Sequence, residues 1–296
     1  MTDDTDVTLS EETPSFLAPR RKQLLVGRRA VVASTVSTVL IIGGLVAAFY
    51  LAPGGKVVRQ DYFNLHYMWE SLVGNHNKAL FSVGTGLLIN IRIFLIAEVF
   101  ILAFGLGLAW TRMTRSPVLV PFRILAVVYS DIFRGIPVLL VFLLIGYGVP
   151  GLQLGYISNQ SPEIYGCVAL ILTYSAYVAE VFRAGIFSVP HGQILAARSL
   201  GLTNATTMRR VILPQAVRTV IPPLLNDFIS LQKDTALLSV LGVIEAVQAG
   251  TIFQESRFNS SGLVVASLLF LVMTIPLTRV TDGLIARDRN RRLATT

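Results

Sequence analysis

The chain has 296 residues, 53% of them hydrophobic and only 14% charged, with a formal net charge of +8. A water-soluble domain carries roughly 25% charged residues, so this composition excludes an ordinary soluble enzyme or binding module and makes lipid the expected solvent. The positive charge does not indicate nucleic acid, because the basic residues flank apolar runs as membrane anchors do.

Residues 1–29 form a polar tail, acidic first (Asp3, Asp4, Asp6, Glu11, Glu12) and then basic (Arg20, Arg21, Lys22, Arg28, Arg29), a composition expected to be disordered. Residues 30–52 carry no charge and meet the requirement of about 20 apolar residues for one bilayer crossing. The run is longer than the apolar region of a signal peptide and comes after a long acidic tail, so it is expected to be a retained span. Residues 53–80 mix Tyr62, Phe63, Tyr67 and Trp69 with His66, Glu70 and Asn64, as an interfacial connector does.

A second span is expected over 82–110 and a third over 118–149. The third is too long for a straight crossing of a ~30 Å core. It should bend or start along the interface, with Gly135 and Pro137 as the natural break. Further spans are expected over 164–188, 217–244 and 263–285, giving six in all. One set of ends carries Arg112 and Arg115, then Arg198, Arg209, Arg210 and Arg218, then Arg287, Arg289, Arg291 and Arg292; the other has only Lys56, Arg59, Lys78 and Arg257. By the positive-inside rule both termini are expected in the cytoplasm, with residues 286–296 as a basic tail.

Several chemistries lack their residues. The one Gly-Lys pair, Gly55-Lys56, is followed by Val57 and has no upstream glycine at phosphate-loop spacing, so any ATP and Mg must be used by another chain. The three histidines, His66, His76 and His191, show no ligand spacing, so no metal is expected. The single cysteine, Cys167, lies in an apolar run and reads as packing.

The most informative stretch is 191–214. Ile194 to Leu200 reads as a helical turn or two, Gly201 as its stop, and Thr203 or Asn204 as the cap of a second short helix ending before Pro214. Ala196 and Ala197 allow another surface to approach closely, and Leu195, Leu200 and Leu202 supply an apolar ridge. By helical pattern alone the segment could equally be an amphipathic interfacial connector. Its spacing, however, resembles the loop of permease subunits of binding-protein-dependent ABC importers, which runs Glu-Ala-Ala, three residues, Gly, nine residues, Ile, one residue, Leu-Pro. Ala196, Ala197, Gly201, Leu213 and Pro214 fall on that pattern, with Val211 for Ile and Leu195 for Glu.

Thr85 to Arg92, Phe133 to Pro137, Ala176 to Gly185, and Asn226 with Lys233 to Ser239 are similar to stretches of the polar-amino-acid subfamily, so the resemblance covers about residues 81–285. Gly-Ile-Pro stands where many relatives have Gly-Thr-Pro, and Ala236 where many have Ser. The resemblance implies an all-α, multi-span membrane protein with five core helices plus one added N-terminal span. It also implies a separate ATP-binding-cassette ATPase docked on Leu195, Ala196, Ala197, Gly201, Leu202, Leu213 and Pro214. An extracytoplasmic solute-binding protein and a second permease complete the expected assembly, in the plasma membrane. Leu195 favours a heteromeric permease pair whose other member supplies the glutamate, with a homodimer as the alternative.

Charges within the spans need a reason, since each costs roughly 2.5–3.5 kcal/mol on insertion scales. Arg92 and Glu98, Asp131 and Arg134, Glu180 and Arg183, and Asp227, Lys233 and Asp234 form the set. Glu180 with Arg183 could be a structural pair one turn apart, and the other arginines could snorkel. Asn226, Asp227, Gln232, Lys233 and Asp234, with Glu180 and more weakly Tyr174 and Tyr177, are the candidates for lining a substrate pathway. The expected function is ATP-driven import of a polar amino acid, glutamate, glutamine or aspartate foremost. The rival is an ion-gradient-driven secondary transporter, which would need two related halves that the sequence does not display.

Overall fold

The computed structural model describes residues 28–75, 80–114 and 116–294, with side chains for 31–75, 80–114 and 116–287. The expected disorder of the tail falls on residues 1–27, outside the described residues, as do His76, Lys78, Arg115 and the side chains of Arg28, Arg29, Arg289, Arg291 and Arg292. The described residues contain no β-strand; Asn75 and Leu80 make an isolated bridge. The chain divides into two compact units at Val58.

In the first unit α1 spans Arg28–Leu51. The side chains of residues 31–51 are exposed almost without exception. Thr35 and Thr38 return their hydroxyls to the carbonyls of Val31 and Ser34, at 2.9 and 2.8 Å, which lets polar residues sit in an apolar helix. The short α2, Gly55–Tyr62, leads out of this unit.

The second unit begins with the connector helix α3, Leu65–Val73, capped by the Asn64 side chain. The long α4, Val83–Met113, starts on a Ser82 cap and at about 1.5 Å per residue is longer than the hydrocarbon core. Next come α5, Val120–Gly135, and α6, Val138–Gly151. Their axes differ by 107°, and the break lies where expected. Pro137 removes a backbone donor and holds Ile136 in an extended conformation, φ −95° and ψ 133°. The central α7, Pro162–Phe187, packs against α4, α5 and α6.

Two short helices come next, α8 (His191–Ser199) and α9 (Asn204–Thr207), and then α10, Leu213–Asp234. Two expectations fail here. The second short helix does not end before Pro214: a π turn at Met208–Ile212 carries it directly into α10, whose second residue is Pro214. The fifth span does not close at 244 either. A 3-10 segment reaches Leu241, and a further helix α11, Ala246–Arg257, departs at 47°. Buried Glu245 starts it by accepting the N–H groups of Val247 and Gln248 at 2.9 and 2.8 Å. The final α12 runs Ser261–Ala294, longer than the expected 263–285.

Among the described residues four helices can cross a membrane alone by length and composition, and up to six crossings result if each bent pair is one span. Cross-helix contacts fix their directions. Arg92 pairs with Glu163, and Gly105 lies against Val178, so α4 and α7 run parallel. Tyr174 meets Asp234 while Gly185 meets Val220, so α10 runs opposite. Arg112, Arg198, Arg209, Arg210 and Arg218 therefore gather at one end, here the basic end. The core joins Ile93, Phe94 and Ile101 of α4 to Phe142 of α6, Leu170 and Val178 of α7, and Leu231 and Leu238. At the opposite end Gly86 lets α4 approach the backbone of residues 245–246: a Cβ there would lie 2.6 Å from the Ala246 nitrogen.

Candidate functional site

The loop at the basic end is built by local chemistry. Gly201 adopts φ +79°, the left-handed conformation that stops a helix at no steric cost. The turn closes through Gly201 N–H to Arg198 O at 2.9 Å and Leu202 N–H to Ala197 O at 3.2 Å. Thr203 caps the next helix by accepting the Thr206 N–H at 3.3 Å, and Arg198 donates to Asn204 across the turn. The Gln215 amide donates to Gln193 Oε1 at 2.6 Å and to Val211 O at 2.9 Å, tying α8 to the first turn of α10. Ser188, Pro190, Gln193, Gln215, Arg218 and Thr219 surround a cavity of about 290 Å³ beneath it.

Of the loop residues singled out in the sequence, Leu195, Ala196, Leu213 and Pro214 are exposed, with Leu202 half-buried. Leu200, just after α8, is 82% exposed. Ala197 is buried, so its small side chain serves the packing of α8 onto the following turn rather than the outer surface.

The polar interior separates the remaining candidates. Tyr174 donates to Asp234 Oδ2 at 2.8 Å, and Tyr177 approaches the Arg134 carbonyl at 3.4 Å. Gln232 is fully buried and accepts from Thr274 at 2.7 Å, so it braces α10 against α12 and does not line an open surface. Asn226, Ser230 and Lys233, at i, i+4 and i+7, are exposed together on one stripe of α10. Asp227 is half-buried, and its Oδ2 has no hydrogen-bond partner among the described residues.

Glu180 pairs with Arg183 as its spacing allows, and with more: its carboxylate also meets Arg112 of α4 at 3.1 Å and Arg134 of α5 at 3.6 Å. One carboxylate thus joins three helices. Asn90 and Thr235 are bracing residues that sequence reasoning did not single out. Fully buried Asn90 donates to Thr235 Oγ1 and accepts the Ala246 N–H, each at 3.2 Å, linking α4 to both sides of the α10–α11 break. The available signal was an amide two residues before Arg92 in the first third of an expected span.

The chain is similar to known transport proteins. Residues 119–289 match the family described as "Binding-protein-dependent transport system inner membrane component". The chain is 40% identical over 191 residues to the probable glutamine ABC transporter permease protein GlnM of Bacillus subtilis, covering 62% of this chain and 84% of that one. It is 33% identical over 245 residues to the octopine transport system permease protein OccM of Rhizobium radiobacter, covering 79% and 95%. Among solved structures, an amino acid ABC transporter crystallised with histidines is similar at 32% identity and TM-score 0.64, over 69% of this chain and 93% of that one. The inward-facing MetNI methionine ABC transporter, at 18% identity and TM-score 0.55 over 76% and 99%, shares the fold. The chain belongs to the inner-membrane components of binding-protein-dependent transport systems, the permease subunits of ABC importers.

Proposed function

We propose that the chain is the membrane-spanning subunit through which a polar amino acid enters the cell, driven by an ATPase on a separate chain. The loop of residues 191–214 carries the reading. It offers Leu195, Ala196 and Leu200 at its surface, and it is joined to α10 by a continuous helix and by the Gln193–Gln215 amide pair. A push on α8 is therefore delivered to α10, the helix that bears Asn226 and Lys233. Closure of two ATPase subunits would rock the membrane halves by alternating access. The basic end is then cytoplasmic, with both termini there, and an extracytoplasmic binding protein delivers substrate to the opposite end.

The Asn226–Ser230–Lys233 stripe supports a polar pathway, because polar groups exposed at membrane depth are tolerated where they line a cavity or meet another protein. Lys233 suits an α-carboxylate, and Asp227 suits an α-ammonium group. The names of relatives favour glutamine among the polar amino acids. An apolar Leu195 at the loop's surface favours a heteromeric pair in which the other permease carries the family's glutamate.

The test is Gly201→Val in the reconstituted importer. A β-branched residue cannot hold φ +79° without strain, so α8 should lose its angle to α10: ATP hydrolysis continues while uptake falls at least ten-fold, about 1.4 kcal/mol of lost coupling. Normal uptake by that variant, or uptake that survives ATP depletion and stops with an ionophore, overturns the reading.

A further inference from the structure

The geometry points to a binding site for the headgroup of an anionic phospholipid, in the groove between α5 and the basic ends of α4 and α7. The groove has a volume of about 320 Å³; Arg112, Arg123 and Arg183 stand around it, and Ile124, Val127 and Phe187 form its apolar floor. It is distinct from the loop cavity and from the polar stripe of α10.

Charge is the first argument. Arg112, Arg134 and Arg183 share the single carboxylate of Glu180. Arg123 has no ion pair among the described residues. The remaining acid of α5, Asp131, is exposed one to two turns farther along and does not line the groove. The three guanidinium groups around the groove have only the Glu180 carboxylate, itself shared with Arg134, so the site stays cationic after every internal pair is made. Arginine is the side chain whose planar fork suits a phosphodiester.

The apolar floor decides between a lipid and a free phosphate. Ile124 and Phe187 are 56% and 67% exposed, and the Phe187 ring lies under the Arg183 guanidinium, 5.5 Å from its centroid. A free anion would gain nothing from these surfaces, whereas an acyl chain leaving a phosphate held by the arginines would cover them. The place is also right. At 107° to α6, α5 lies at the basic end, where arginines meet anionic headgroups, and pockets of this kind between spanning helices hold such lipids.

Native mass spectrometry of the full-length chain with its co-purifying subunits, in mild detergent doped with equal phosphatidylglycerol and phosphatidylcholine, tests the site. Retention of phosphatidylglycerol over phosphatidylcholine is expected. Arg123→Gln should lower it about five-fold, the factor that about 1 kcal/mol per basic residue gives. Arg123→Lys should lower it less, and Arg287→Gln, at the same end but outside the groove, should leave it unchanged. All variants are compared at equal elution volume, so that a misfolded one is recognised. Equal retention of both lipids, or an Arg123→Gln chain that holds phosphatidylglycerol as well as the parent, overturns the proposal. So does displacement of the lipid by millimolar inorganic phosphate, or cross-linking from Ile124→Cys to another permease chain in place of a photoreactive lipid.

Discussion

Glu180 is the single carboxylate shared by Arg112, Arg134 and Arg183. Its side chain is 21% exposed and that of Arg112 only 11%, so this pair is the more shielded part of the network, while Arg134 and Arg183 are each more than a third exposed and contribute less. Removing the carboxylate leaves three guanidinium groups facing one another at the ends of α4, α5 and α7. Glu180→Ala should cost about 2 kcal/mol, below the ~3–5 of a fully buried broken pair, and Glu180→Gln should cost less because the amide oxygen still accepts a bond. The readout is the temperature at which half of the detergent-purified protein aggregates. An unchanged midpoint for Glu180→Ala would mean that the arginines are already neutralised by bound lipid or solvent. Tyr174→Phe makes a second test: it leaves Asp234 without its 2.8 Å donor and should cost about 1–3 kcal/mol by the same measurement.

At the scale of the element, the features legible in the sequence were those that neighbouring residues decide. Pro137 fixes the elbow between α5 and α6, Gly201 stops α8 and Thr203 caps α9, because each acts through its own backbone or that of residues a turn away. The missed features are those that distant residues decide. The helix α11 carries Gln248, Gln254, Glu255 and Arg257, too polar to read as a span, and it exists because Glu245 caps it and Asn90 reaches across from α4. The three arginines around Glu180 come from three helices, of which spacing could supply one. Gly86 belongs to the same class, since only the fold shows that its missing Cβ is where α4 meets residues 245–246. Gly86→Val should therefore reduce the yield of folded protein sharply, whereas Gly107→Val, with nothing within 4 Å, should not. Fluorescence-detected size-exclusion of the two variants side by side makes the comparison. Equal yields would show that α4 can slide relative to α11.

At the scale of the whole molecule, the α1 unit poses the remaining question. The helix buries almost nothing within its own unit, while the second unit contains every helix from α3 to α12 and both bent spans. The similar histidine-bound transporter subunit is covered over 93% of its length by 69% of this chain, so a relative of this fold manages with a shorter chain. Removal of residues 1–52 forces α4 to insert as the first span, with its Ser82 end translocated. The basic residues flanking α4 are balanced and do not by themselves orient it: Arg112, Arg115 and Arg123 lie after it, against Lys56, Arg59 and Lys78 before it. The four later crossings carry their own bias through Arg198, Arg209, Arg210, Arg218 and Arg287. The truncated chain should thus keep its topology, read as unchanged labelling of Phe258→Cys by a membrane-impermeant maleimide in intact cells. Phe258 suits the purpose because it is 91% exposed in the turn between α11 and α12, far from the basic end. Uptake should then be largely retained, and its loss with normal Phe258→Cys labelling would assign α1 to the assembly of the importer, since insertion would have been shown intact.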